Sequence, residues 1–183
     1  MSEDRRERII DATVDLAEKG GFDNVRLRDV ASASGVALGT VYRNFSSKED
    51  LLVGALSREM VALQKAIRRR PPQGDTPLAR ANAFFRAANR GVLSRPSFAR
   101  AVIRALATGN PEMHVATASF HDGNTALIAE SIVGGEAIGE RDQKVASILQ
   151  NVWFAALVGW AGGLFDDAGV TERVQLAAEQ LLG

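Results

Sequence analysis

Along most of the chain apolar residues return every three or four positions, the interval at which one face of an α-helix repeats. Ile10, Val14 and Ala17, with Ile9 and Leu16 beside them, line a helix over about 5–19 that Gly20-Gly21 stops. Two short helices follow, Arg28 to Ser34 and Leu38 to Asn44, joined by Gly35-Val36; Val30 and Ala31 face Val36, Val41 and Phe45 across a shared core. Ser46 and Glu49 form an S-x-x-E capping box that opens helix 4, whose stripe of Leu52, Leu56, Met60, Leu63 and Ile67 runs to about Arg68. Residues 68–75, RRRPPQGD, break the pattern as a helix end favoured by the dipole and then a linker. Thr76-Pro77 caps helix 5, with Ala81, Phe85, Ala88 and Val92 on one side and Phe84 next to it, and Arg95-Pro96 separates it from helix 6, marked by Phe98, Val102 and Leu106. Gly109-Asn110-Pro111 ends helix 6; helix 7 runs from about Glu112 to Val133, irregular near His121-Asp122-Gly123, before Gly134-Gly135. Helix 8, from about Arg141 to Phe165, is apolar nearly all round in its second half, and Thr171 caps helix 9 with its stripe of Val174, Ala177, Ala178 and Leu181. The pattern is all-α, about nine helices, with no strand alternation.

The short pair at 28–44 has the form of a helix-turn-helix, and its second helix has the composition of one that lies in a DNA major groove. Gly39 lets backbone and duplex approach closely, and Leu38 offers an apolar surface to a thymine methyl. Arg43 and Asn44 carry donors for guanine or adenine edges, while the hydroxyls of Thr40 and Tyr42 suit phosphates along the groove wall. Lys48, in the first turn of helix 4, sits with exposed N–H groups that favour an anion. Arg28 joins Arg43 and Lys48 on the expected binding face. Arg5, Arg6 and Arg8 either reach a phosphate or minor groove or form a solvated helix start.

These residues, with Ile9 to Ala12, Gly21-Phe22, Asp29-Val30-Ala31, Gly39-Thr40-Val41-Tyr42 and Lys48-Glu49-Asp50-Leu51-Leu52, resemble the DNA-binding domain of TetR-type transcriptional regulators from about Arg8 to Leu56. The resemblance implies a homodimer whose recognition helices enter successive major grooves of a palindromic operator, with a helical C-terminal domain that senses a small ligand. On that pattern residues 1–50 form the three-helix DNA-binding domain, helix 4 connects from about 46, and 51–183 form the ligand-binding and dimerisation domain. The chain departs from the family at two caps, where hydroxyl residues are frequent and Arg26 and Ala37 stand instead. Arg95-Pro96 to Arg104-Ala105, Asn151-Val152-Trp153 to Trp160, and Thr171 to Leu182 resemble the cholesterol-catabolism repressor branch, which implies a steroid or acyl-CoA type effector.

Composition sharpens this picture in few places. With 183 residues, 46% hydrophobic and 24% charged, the chain is long enough for a substantial core. Lys plus Arg equals Asp plus Glu, 22 each, so attraction to DNA must come from placement rather than net charge. The absence of cysteine excludes disulfides and thiolate chemistry. The charged start, SEDRRER, is unlike a signal peptide, and the apolar run Val152 to Phe165 falls short of the ~18 residues of a membrane span, so a cytoplasmic protein without a membrane partner is expected. His114 and His121 lie two turns apart, too far to share one zinc, and no nucleophile elbow, Walker loop or dinucleotide fingerprint is present. No metal, cofactor or catalytic constellation is expected.

Phe85, Asn89, Phe98, Val102, Leu106, Phe120, Asn124, Leu127 and Trp153 either line a cavity for a hydrophobic effector or fill a core; Phe84 and Gln150 belong to the same helices. Leu157, Trp160 and Leu164 of helix 8, with Val174, Ala178 and Leu181 of helix 9, are expected at a dimer interface built as a four-helix bundle, because a helix apolar on all sides must bury more than one face. The favoured function is a ligand-responsive repressor. An all-helical lipid-binding carrier or enzyme with a structural head, and a protein-interaction adaptor, stand beside it as alternatives from other classes.

Overall fold

The computed structural model describes residues 3–107 and 114–183, with the side chains of 114–116 set aside. The expected end of helix 6 at Gly109-Asn110-Pro111, the start of helix 7 at Glu112 and the side chain of His114 lie outside the described residues. Among those described there are nine helices and no strand: α1 (Glu3–Asn24), α2 (Leu27–Ser34), α3 (Leu38–Asn44), α4 (Lys48–Arg69), α5 (Pro77–Leu93), α6 (Pro96–Ala107), α7 (His114–Val133), α8 (Glu140–Ala161) and α9 (Asp167–Leu182).

The chain divides into two compact units, one of Met1–Glu59 and Arg95–Thr117, the other of Met60–Ser94 and Ala118–Gly183. By packing, α6 lies with the first unit. Phe98, Ala101, Val102 and Ala105 are buried in one cluster with Ile9, Val14 and Phe22 of α1 and with Val41, Phe45 and Leu52. Polar clips fix α6 along α1. The Glu18 carboxylate accepts from the Phe98 N–H at 3.1 Å, in the first turn of α6, where the helix leaves its donors unpaired. Arg58 of α4 donates to Glu7 and Asp11 of α1; burial draws its pKa down, but those hydrogen bonds outweigh burial and hold it above its ordinary value. Glu59 pairs with Arg95 at 3.4 Å, beside the start of α6.

Within this unit, α1 loses helical geometry at Gly20-Gly21, where Gly21 has φ +66°. The last turn then brings Phe22 back into the core, and the Asn24 amide donates to the Leu16 carbonyl at 3.0 Å. Neither Arg26 nor Ala37 makes a side-chain cap, so α2 and α3 both begin without one. Tertiary packing must hold them, since isolated helices of eight and seven residues are too short to persist in water. Gly35 closes α2 in the left-handed region at φ +64°, and its N–H bonds back to the Ser32 carbonyl at 3.4 Å. The cap of α4 falls one residue later than Ser46-x-x-Glu49: the Ser47 hydroxyl accepts from the Asp50 N–H at 3.2 Å, and the Asp50 carboxylate accepts from the Ser46 N–H at 2.8 Å.

The second unit packs α5 and α8 against α9. Thr76 caps α5 as its sequence predicts, accepting from the Ala79 N–H at 3.1 Å. Phe84 and Phe85 meet edge-to-face at 5.1 Å, and Phe85 meets Trp153 at 5.8 Å. Beneath them runs a buried polar relay: Trp153 Nε1 donates to Asn89 Oδ1 at 2.7 Å, and Asn89 Nδ2 donates to Thr171 Oγ1 at 2.9 Å, joining α8, α5 and α9. Thr171 is therefore a partner inside α9 and not its cap; Asp166 caps that helix, accepting from Gly169 N–H at 3.0 Å. Similarly α8 ends at Ala161 instead of Phe165, because Gly162 and Gly163 turn the chain out of the helix.

Candidate nucleic-acid interface

The seven residues of α3 present one side to the core and another to solvent. Val41 is completely buried and Phe45, the residue after the helix, is 2% exposed, so this edge is anchored in the first unit. Gly39, Tyr42, Arg43 and Asn44 are exposed, Tyr42 to 58%, which is unusual for a large ring with nothing to cover it. Leu38 and Thr40 are half-buried, Leu38 resting against the core cluster. A Cβ built at Gly39 meets no atom within 4 Å, so the fold itself does not require glycine there. Gly54 of α4 is different: a Cβ would lie 2.9 Å from the Phe45 ring, and the bare backbone is what lets Phe45 seat the end of α3.

The polar groups of α3 are pre-arranged. Arg43 Nη2 donates to Thr40 Oγ1 at 2.9 Å, one turn back along the helix, which steadies the guanidinium along the outer face. Asn44 Nδ2 donates to the Thr40 carbonyl at 2.7 Å, so the amide nitrogen of this exposed residue is spent on its own helix. Arg28 is exposed on α2. Arg6 lies 5.4 Å from the centre of the Phe45 ring, while Arg8 pairs with Asp4 at 3.5 Å and donates to the Ser34 carbonyl at 3.4 Å; both brace the first unit.

Lys48 is half-buried in a setting that its sequence neighbours do not disclose. Its ammonium sits 3.9 Å over the Phe22 ring and 3.8 Å from Asp23 Oδ1. Arg104 of α6 lies over the same ring at 4.3 Å and reaches Asp23 Oδ2 at 3.0 Å. Arg104 stands 81 positions from Asp23 in the chain, and only the packing of α6 on α1 brings it to Phe22 and Asp23.

The expected effector residues do not form one group. Phe98 and Val102 are buried in the first unit and Leu106 packs against that same cluster, so these three leave the set; their stripe is the one α6 turns toward α1. In the second unit Phe85, Asn89, Asn124, Leu127 and Trp153 are buried and Phe120 is half-buried. Asn89 spends both ends of its amide on Trp153 and Thr171, and Gln150 accepts from the Thr125 hydroxyl at 2.6 Å. Asn124 Oδ1 is buried without a hydrogen-bond partner, as is Oδ1 of Asn82, a residue that helical periodicity gave no reason to select. His121 is half-buried beside Asp122, and no cluster of three or more metal-ligating side chains occurs among the described residues.

The expected dimer residues need a larger correction. Leu157, Trp160, Val174 and Ala178 are buried within the single chain, in the packing of α8 and α9, and Trp160 Nε1 donates to Asp167 Oδ1 at 2.7 Å. Leu181 is half-buried, and Leu164 alone of the six stands out, 78% exposed. The apolar side chains that α8 does present to solvent are Ile148, Phe154 and Val158, on the opposite face from Trp153 and Trp160, with Leu176 exposed on α9. Periodicity identified an all-round apolar helix but could not say which side its own chain would cover.

Comparison with known proteins places this geometry. Residues 9–55 match the model of bacterial regulatory proteins of the tetR family, and residues 74–181 match a tetracyclin repressor-like C-terminal domain. The chain is 34% identical over 182 residues to the HTH-type transcriptional repressor KstR of Mycolicibacterium smegmatis, covering 98% of this chain and 88% of that protein. It is 32% identical over 180 residues to the repressor of the same name from Mycobacterium tuberculosis, covering 98% and 81%. Among solved structures, a TetR transcriptional regulator from Rhodococcus sp. RHA1 has the same fold with a TM-score of 0.87 at 23% identity, covering 98% of this chain and 96% of that one. FadR from Thermus thermophilus, solved in complex with lauroyl-CoA, gives a TM-score of 0.75 at 22% identity, covering 96% and 92%. With both domain models matched and such identity over nearly its full length, the chain belongs to the TetR family of transcriptional regulators.

Proposed function

We propose that this regulator is a cytoplasmic, non-enzymatic repressor that binds a palindromic operator as a homodimer and responds to a hydrophobic effector of steroid or acyl-CoA type. The observation that carries the DNA-binding part is the division of α3, with Val41 and Phe45 held in the core while Tyr42, Arg43 and the open backbone at Gly39 face outward. In this reading Arg43 reads base edges and Tyr42, Lys48 and Arg28 hold phosphates, with Leu38, Thr40 and Asn44 completing the contact. The repressor relatives support the direction of control, and the lauroyl-CoA complex of a protein with this fold supports the effector class. Phe85, Leu127 and Trp153 supply apolar surface in the second unit, and the unpaired Asn124 Oδ1 supplies an acceptor for a polar group of the effector. The second copy is taken up by the outer face of α8, Ile148, Phe154 and Val158, together with Leu164. α4, which has residues in both units, carries the effector's influence to α3.

Selection from a random duplex pool tests this reading, followed by anisotropy measurements over a salt series. A palindrome with half-site centres ~34 to 36 Å apart, a steep salt dependence, and loss of affinity in a Tyr42→Ala, Lys48→Ala double variant are the expected results. A double variant that holds the selected duplex as tightly as the unaltered protein would remove α3 and Lys48 from the interface. Lauroyl-CoA and a sterol-derived CoA thioester, added to the preformed complex, test the effector class; release by neither sinks it.

A further inference from the structure

Phe22 and Asp23 occupy a place where two cations from different helices converge. Lys48 Nζ lies 3.9 Å and Arg104 Cζ 4.3 Å from the centre of the Phe22 ring. Asp23 divides its oxygens between them, Oδ2 to Arg104 within hydrogen-bond reach at 3.0 Å and Oδ1 to Lys48 at 3.8 Å, an ion pair without a hydrogen bond. The kink at Gly20-Gly21 puts both residues there, because Gly21 adopts φ +66° with ψ −162°, open to glycine and strained for other residues.

We infer that Arg104 is a positioning residue for DNA binding: by occupying the Asp23 carboxylate, it leaves the Lys48 ammonium poised on the Phe22 ring for a phosphate. This rests on the reading of Lys48 as a phosphate contact. A single carboxylate cannot serve two cations equally, and here the shorter, directional bond goes to the guanidinium. With Arg104 in place, the charge of Asp23 is already answered, and Lys48 is held by a ring face, which attracts a cation without consuming its hydrogen-bond donors. Without the Arg104 guanidinium, Asp23 is an unanswered anion beside Lys48 and competes with the DNA backbone for it. The placement of α6 is thereby linked to phosphate grip through one carboxylate, without any movement of α3.

The test is a cycle of exposed substitutions in the full-length chain, measured by anisotropy on a duplex taken from the random-pool selection, with thermal melting to verify folding. Arg104→Gln is expected to weaken binding by about threefold to tenfold and to flatten the salt dependence by a fraction of one phosphate contact. Arg104→Lys is expected to recover most of the loss, since it restores a cation beside Asp23. In an Asp23→Asn background Arg104→Gln is expected to have no further effect, because no carboxylate remains to capture Lys48. An equal loss from Arg104→Gln with and without Asp23 would overturn the inference, showing that Arg104 meets DNA directly; no loss in either background would overturn it too. The Lys48→Ala variant separates the two levels. If it binds as tightly as the unaltered protein, the phosphate role of Lys48 is wrong and the inference falls with it; if it weakens binding while Arg104→Gln does not, the inference alone fails.

Discussion

At the scale of single residues, the clearest separation of folding from function is at Gly39. Alanine in place of glycine inside a helix adds roughly 0.5 to 1 kcal/mol of stability where no neighbour objects, and a Cβ at this position meets none. Gly39→Ala is therefore expected to raise the melting temperature slightly while reducing DNA affinity about tenfold, the signature of a methyl group that only the duplex encounters. A lowered melting point would show that the fold needs this glycine after all. Arg43→Ala is expected to relax base preference at one position of each half-site by ~1 to 3 kcal/mol, read by repeating the duplex selection with the variant. These outward residues were legible in sequence because the spacing of Val36, Val41 and Phe45 determines which positions of so short a helix must point away. Asn44 was only half legible: its type suggested an adenine contact, but its amide donates to the Thr40 carbonyl of its own helix. Nothing in local spacing could disclose that Lys48 shares Phe22 and Asp23 with Arg104, since that meeting depends on contacts across some eighty residues.

At the scale of elements, helical periodicity anticipated the nine helices seen among the described residues but not the side on which some of them are covered. α6 illustrates the limit: Phe98, Val102 and Leu106 mark its apolar stripe correctly, yet the stripe itself carries no address, and its partner is α1. α8 illustrates another: Trp160 and Leu157 lie on the inner face and Phe154 and Val158 on the outer. Val158→Glu is therefore expected to give a folded monomer by sedimentation, with helical content unchanged by circular dichroism. Trp160→Glu is expected to unfold the second unit, since it places a charge among buried side chains and breaks the bond to Asp167. A Val158→Glu protein that remains dimeric would move the interface to another surface. Cap positions were displaced for a simpler reason, which is that several residues at each helix start were able to serve. Ser47 with Asp50, and Asp166, were chosen by geometry over Ser46 with Glu49, and Thr171. Gly54→Ala is expected to cost about 1 to 3 kcal/mol of stability, measured by denaturant unfolding, because the new methyl would press on Phe45 at 2.9 Å and loosen the end of α3.

For the whole molecule, a formal net charge of zero means that affinity for DNA must arise from local placement, with Arg28 and Arg43 exposed and much of the remaining charge consumed in pairs such as those of Arg58 and Arg95. Steering from a distance is correspondingly weak, so association is expected to be slower than for a strongly basic protein of this size, a difference that stopped-flow fluorescence at low salt would reveal. The assignment of α6 to the first unit has a practical outcome for anyone who dissects the chain. A fragment ending at Glu59 would lack Phe98, Ala101, Val102 and Ala105, leaving a greasy furrow along α1 open to water. Such a piece would clump in the test tube despite containing α3 and Lys48, the residues proposed above to meet DNA, and a synthetic peptide spanning 95–107 should dissolve it again.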